Sequence, residues 1–331
     1  MTEARVARVL LAEPRGFCAG VEMAIKALQW MVEAFPPPVY CYHEIVHNRL
    51  VVERFRDQGV IFVDEIDDVP DGAPLMLSAH GSAPEVVAAA RERDRVVVNA
   101  VCPLVTKVHH EAKVRAKKGY TVLYVGHEGH DEATGTLAVA PDAMRLVEHV
   151  DDLEQVAATV PDPTKVALLA QTTLSLPDWQ GVMAGARERY PSLWTASRND
   201  LCFATTNRQA ALRELATRAD AIVVIGSANS SNTIALTKVA RDAGCEHVVR
   251  VDGPDEIDVA ALVDANAGDA TVVGVTAGAS APEDLVQAVI ERLAPRDGVE
   301  LVHVTDEDEY FPSPRDLREL ASRMEAAPPL P

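Results

Sequence analysis

No apolar run in this sequence approaches the roughly 18 residues that cross a bilayer, so a membrane span is excluded. The first residues, MTEARVARVLLAEPRG, lack the long apolar segment and small-residue cleavage site of a secretory signal. The expected location is therefore the cytoplasm. Positive charge is in short supply: 31 Lys and Arg face 50 Asp and Glu, a net charge of -19. Nucleic acid is excluded as a partner on that ground, because such binding is mostly phosphate neutralisation by Lys and Arg. No G-x-x-x-x-G-K-[ST] loop is present to hold a nucleotide phosphate. Cysteine is scarce, with five in 331 residues, and no two of them form a C-x-x-C pair. In a reducing compartment, a few cysteines in special places point to metal or catalytic work rather than disulfides.

What is present is a full apolar core, at 48 % hydrophobic residues, in a chain about twice the usual domain size. Three cysteines share a context. Cys18 in "EPRGFCAG", Cys102 in "VNAVCPLVTKVHH" and Cys202 in "NDLCFATTNRQ" each open a helical pattern, and strand-like runs precede the first two. A strand-like run and a polar loop follow each of them at 28 or 29 residues, reaching His47, His130 and Ser230. A further strand and polar loop bring His80, Thr172 and Ser280. This is an internal repeat of three strand–loop–helix units. It predicts three similar small parallel-sheet α/β domains, at 1–101, 102–201 and 202–290, with an arm at 291–331 packing back on the first.

In parallel sheets, ligands bind beyond the carboxyl ends of the strands. If the units face one another about a pseudo-threefold axis, their loops converge on one central cleft. One cysteine per unit is a poor metal site; three together are a good one. Three thiolates can hold zinc or an iron–sulfur cluster, and a [4Fe–4S] cluster on three cysteines leaves one iron open for substrate. The loops add His47, His80, His130, Thr172, Ser230, Ser231, Asn232 and Ser280, a set of donors suited to an anion such as a diphosphate. Singly, each Ser or Thr is an ordinary helix cap; their common position in three units carries the functional reading. Glu132 is the carboxylate placed for proton delivery, with Asp131 as its rival.

Other features read more simply. "HEIVH" at 43–47 matches the H-E-x-x-H zinc motif, which needs the middle of a helix. Here it follows the strand-like "VYCY" as a turn, which argues against a zinc hydrolase through His43 and His47. Cys41 and Cys245 read as free structural thiols, and His109 and His110 as a solvated helix face. The acidic tail "DEDEYFPSPRDLREL" reads as a short arm.

The motifs "PRGFCAGV", "HEIVHN", "SAHGS", "CPLVTKVH", "QTTLS", "CFATTNRQ", "NSSN" and "VTAGASAP", spread from about residue 7 to about 290, resemble the 4-hydroxy-3-methylbut-2-enyl diphosphate reductase family of the non-mevalonate isoprenoid pathway. The resemblance implies a trefoil of three α/β domains around one [4Fe–4S] cluster per chain, held by Cys18, Cys102 and Cys202. It implies that the substrate hydroxyl meets the open iron. The diphosphate would lie on His47, His80, His130, Ser230, Ser231, Asn232 and Ser280, Thr172 near the hydroxyl, and Glu132 on the proton route. The implied reaction is a two-electron, two-proton reductive dehydroxylation giving isopentenyl and dimethylallyl diphosphates, with ferredoxin or flavodoxin as electron donor. The family pattern reads His-Pro-Glu where this chain has His130-Asp131-Glu132, so two carboxylates remain candidates for the proton donor. The alternative is a non-enzymatic iron–sulfur sensor or carrier, for which a ring of diphosphate donors has no use.

Overall fold

The near-continuous apolar runs Val166–Ala170 and Ala221–Ile225 form strands buried on both faces, as parallel strands between helical layers must be. The computed structural model describes residues 6–196, 201–264 and 271–326. The chain starts with β1 (Arg8–Glu13), α1 (Ala19–Ala34), β2 (Val39–Tyr42), α2 (Arg49–Asp57), β3 (Val60–Val63), β4 (Pro74–Leu77), α3 (Pro84–Ala90) and β5 (Val96–Asn99). It continues through α4 (Pro103–Lys117), β6 (Thr121–Val125), α5 (Asp131–Leu137), β7 (Met144–Val147), α6 (Asp152–Ala157), β8 (Val166–Ala170), α7 (Leu176–Arg189) and β9 (Trp194–Thr195). The last third holds α8 (Phe203–Ala216), β10 (Ala221–Ile225), α9 (Ser231–Asp242), β11 (His247–Val251), α10 (Val259–Asp264), β12 (Val272–Ala277), α11 (Glu283–Leu293), β13 (Val299–His303) and α12 (Arg315–Ala326).

These strands make three parallel sheets, ordered β3-β2-β4-β5, β7-β6-β8-β9 and β11-β10-β12-β1-β13. The first four positions of each follow one plan: second, first, third, fourth. In the third sheet the fourth position is filled by β1, from the opposite end of the chain. Arg8 lies beside Val272 and Leu11 beside Val275. The unit expected at 1–101 is thus redrawn, because residues 8–13 belong to the third sheet. The physical reason is burial: Val9 and Leu11 enter the core on one face of that sheet, and Leu10 and Ala12 on the other. Fully burying such side chains is worth about 1.5–3 kcal/mol each for the larger ones. The arm divides its packing. β13 covers the outer edge of β1, while α12 buries Leu317 in the core of the first sheet and Asp316 accepts the Asn99 amide at 3.2 Å.

The cysteines occupy the passages between sheets. α1 follows β1 but packs Ala24, Leu28 and Met31 on the first sheet. α4 follows β5 of the first sheet and packs Val108 and Ala112 on the second. α8 follows β9 of the second sheet and packs Ala211, Leu212 and Leu215 on the third. Cys18, Cys102 and Cys202 are the residues immediately before these three helices, each with an extended backbone.

Candidate active site

Each cysteine amide donates to a carbonyl in the loop after the third strand of the sheet just left. Cys18 N reaches Ala279 O at 3.1 Å, Cys102 N reaches Ala79 O at 2.9 Å, and Cys202 N reaches Thr172 O at 3.0 Å. Three equivalent bonds therefore pin three cysteines to the loops that carry Ser280, His80 and Thr172. All these loops leave the carboxyl ends of their strands and surround one cavity. Its wall contains Cys18, Cys102, Cys202, His47, His80 and His130. Glu132, Thr172, Ser230, Ser231, Asn232 and Ser280 complete the expected set on the same wall. No lysine or arginine lines it among the described residues.

The cysteine end fits a polynuclear centre. Cys102 is pushed up to about 12, first by burial and then by the Cys18 thiol, while the Leu104 and Val105 amides pull it down. Cys202 is raised in the same way, by burial and by Cys18 and Cys102. Three mutually repelling thiols at the positive ends of helices need a cationic core to ionise together. The three sulfurs do not all fall within 4.8 Å of one another, the spacing at which they could share one ion. A single zinc, with ligands at about 2.3 Å, needs its sulfurs closer together than this. Gly20 keeps the space open: a Cβ there would lie 2.8 Å from the Cys102 sulfur and 3.9 Å from that of Cys18. Gly20→Ala should move two quantities in opposite directions. Helix propensity favours Ala by about 1 kcal/mol, so thermal stability of the metal-free chain should hold or rise. Iron bound per chain should fall severalfold. Unchanged iron content would mean that Gly20 does not guard the site.

The opposite end is built for an anion. The His47 and His80 rings stack at 3.8 Å and 9°, with His130 edge-on to both. His47 Nε2 and His80 Nδ1 are buried without a hydrogen-bond partner. Burial and the neighbouring His47 hold His80 well below the usual histidine range and bring His130 down to about 4. His130 Nδ1 accepts the Glu132 amide at 3.1 Å, which leaves Nε2 to donate in the neutral ring. Ser230 caps α9 by accepting Thr233 N at 3.3 Å. Asn232 accepts the Ala279 amide at 2.9 Å, and Ser280 donates to His47 O at 2.9 Å.

The two carboxylates part company. Glu132 is 2 % exposed and accepts from Thr172 N and Thr172 Oγ1, both at 2.8 Å. Thr172 is also the residue whose carbonyl holds Cys202. Asp131 turns to the histidines: Oδ1 bonds His43 Nδ1 at 2.8 Å, and Oδ2 lies 3.7 Å from His80 Nδ1 and 3.8 Å from His47 Nε2. Burial opposes its ionisation, but the His43 bond and the surrounding histidines outweigh burial and hold it at about 2.

His43 has φ 56° and lies in the loop between β2 and α2, not on a helix. The zinc-hydrolase reading through His43 and His47 fails on that geometry. His47, His80 and Asp131 do bring ligand atoms within 4.8 Å. Imidazole offers its lone pair in the ring plane, however, and two parallel stacked rings cannot aim at one ion. His110 is exposed as expected, whereas His109 is partly buried and lowered to about 4 by that burial.

Sequence reasoning missed three polar neighbours. Thr173 Oγ1 and Gln171 Nε2 donate to Ser231 at 2.9 and 3.1 Å, and Thr205 Oγ1 accepts from Asn232 at 3.4 Å. Gln171 and Thr173 flank Thr172 within "QTTLS", a signal that was available.

The profile of the LytB protein family matches residues 9–294. The 4-hydroxy-3-methylbut-2-enyl diphosphate reductase of Rhodopirellula baltica is 47 % identical over 323 residues, covering 97 % of this chain and 98 % of that one. The enzyme numbered 2 of that name in Mycobacterium tuberculosis strain H37Rv is 47 % identical, over 94 % of this chain and 91 % of its own. The solved structure of the Plasmodium falciparum E-1-hydroxy-2-methyl-but-2-enyl-4-diphosphate reductase superposes with a TM-score of 0.90 at 30 % identity, covering 97 % of this chain and 99 % of that one. No helix among the described residues is long and apolar enough to cross a membrane. With the repeat, the three sheets and the shared cavity in place, the match over most of its length establishes that this chain belongs to the LytB family.

Proposed function

We infer that this chain reduces 4-hydroxy-3-methylbut-2-enyl diphosphate, the substrate in its relatives' names. The hydroxyl leaves as water with two electrons and two protons, giving isopentenyl and dimethylallyl diphosphates. One observation carries the reading: three cysteines from three sheet crossings share a cavity with a histidine cluster in which two buried nitrogens, His47 Nε2 and His80 Nδ1, make no hydrogen bond. A carrier or sensor has no use for that second half. Cys18, Cys102 and Cys202 would hold a [4Fe–4S] cluster. When bound, it supplies electrons singly and an open iron as Lewis acid.

The chain's own residues do the rest. His47, His80 and His130, with Ser230, Ser231, Asn232 and Ser280, would hold the diphosphate and aim the hydroxyl-bearing end at the cysteines. Glu132 would deliver the proton that turns a poor leaving group into water. Thr172 both donates and accepts, so its bond to Glu132 Oε2 can pass a proton in either direction. Asp131, held ionised, has no proton to give and would orient the histidines instead. A ferredoxin or flavodoxin would supply the electrons in the cytoplasm, where cysteines stay reduced.

The test is iron, sulfide and Mössbauer analysis of anaerobically purified protein, with and without substrate. About four irons per chain, one of them shifted by substrate, is the expected result. Zinc, or a cluster blind to substrate, would sink the reading. Binding should also take up protons. Burial keeps His80 and His130 low, and an arriving anion raises them. Their contribution to affinity is complete only below the pKa of the ligand-free pocket, about 4 for His130, and is lost progressively as pH rises from there through the pKa of the complex. Calorimetry of inorganic pyrophosphate in buffers of different ionisation heat should show net uptake between about pH 6 and pH 8. Zero uptake would mean that only neutral donors hold the anion.

A further inference from the structure

Arg208 is the largest fully buried side chain among the described residues, at 1 % exposure. It is on α8, six residues after Cys202, and its guanidinium reaches across to the turn before Cys18. Nε and Nη2 donate to Gly16 O at 3.0 and 2.7 Å, and Nη2 also to Phe17 O at 3.2 Å. Nη1 donates to Ala204 O at 2.9 Å and to both oxygens of Glu307, at 2.9 and 3.0 Å. Glu307 comes from the arm after β13, and Asn207 Nδ2 donates to it at 3.1 Å. Beyond Glu307, the Phe311 ring meets Phe203, the residue after Cys202, with centroids 6.4 Å apart. The arm therefore straps the passages that carry two of the three cysteines, and supplies the carboxylate that pairs with the buried guanidinium.

We propose that Arg208 and Glu307 are positioning residues of the cysteine site: they fix the Cys18 turn against the Cys202 helix, and their paired charges set the reduction potential of the cluster held there. The proposal rests on the reading that Cys18, Cys102 and Cys202 hold an iron–sulfur cluster. Outer-shell groups tune a centre's potential through hydrogen bonds and charge. Arginine stays charged in any protein environment. Removing the Glu307 charge leaves that cation uncompensated, which favours the more negative, reduced cluster.

The decisive variant is Glu307→Gln, with Glu307→Asp as its charge-preserving control. Redox titration of the intact anaerobic protein should shift the Gln midpoint upward by about tenfold in the one-electron equilibrium, ~59 mV. The Asp midpoint should stay near wild type. Equal shifts in both, or none in either, overturn the electrostatic half. Arg208→Lys keeps the charge but not the fork. In the metal-free protein it should speed hydrogen exchange at the Gly16 and Cys18 amides. Unchanged exchange overturns the positioning half, and this measurement stands if Glu307→Gln does not fold. Absence of a cluster from the wild type would sink the underlying reading instead, while leaving the exchange result to decide whether Arg208 pins the Cys18 turn.

Discussion

Glu132→Gln should lower turnover by about 10²–10⁴-fold, the range lost with a general acid, while iron content and the cluster spectrum stay unchanged. Gln keeps the shape and can still accept from Thr172 N, so the α5 start and the Thr172 loop should persist. What disappears is the transferable proton beside the cysteine end. Asp131→Asn is the contrast. Its carboxyl is held at about 2, so it carries no proton at working pH, and its oxygens face His43, His47 and His80. Its loss should raise KM through the loosened histidines, with kcat changing less than tenfold, a shift under about 1.4 kcal/mol. An inactive Asp131→Asn beside an active Glu132→Gln would reverse the assignment.

Cys202→Ser should cost more than about 100-fold in metal affinity, beyond what loss of a supporting group costs, and turnover should fall with it. Cys18→Ser and Cys102→Ser should match it. The reason is geometric equivalence: each cysteine amide is tied to the same point of its preceding loop, at 2.9 to 3.1 Å. Cys245→Ser is the control, since its thiol faces the Asp220 and His247 carbonyls away from the cavity. Iron content per chain, measured on all four variants, decides. Full iron in any of the first three, or its loss in the control, would refute the ligand set.

The shared lining of the cavity was legible because its signals repeat. Cysteine, polar loop and second polar loop recur in the same order three times, and repetition separates a ligand from an ordinary cap. The partition of the sheets was less legible. β1 has the apolar run of any buried strand, and nothing local in "RVLLAE" says which sheet will take it; that depends on a vacancy beside β12, far along the chain. Arg208 and Glu307 were invisible for a related reason. A surface acid in an acidic tail and an arginine on a helix look alike until folding buries one against the other. The turn context of the H-E-x-x-H match already speaks against it in the sequence, and the backbone agrees: the motif needs a helix that His43, at φ 56°, does not have.

The place of β1 bears on when the centre can be assembled. A ribosome releases residues 8–13 early, yet their sheet neighbours begin at Val272 and Val299. Until those are made, the first strand has no partner on either side, and the Cys18 turn cannot reach Ala279. Pairings so distant in sequence close late and slowly. The cavity that gathers all three cysteines is therefore complete only once residues 8–13 have met the strands that start at Val272 and Val299, and any metal centre on all three would have to wait for that meeting.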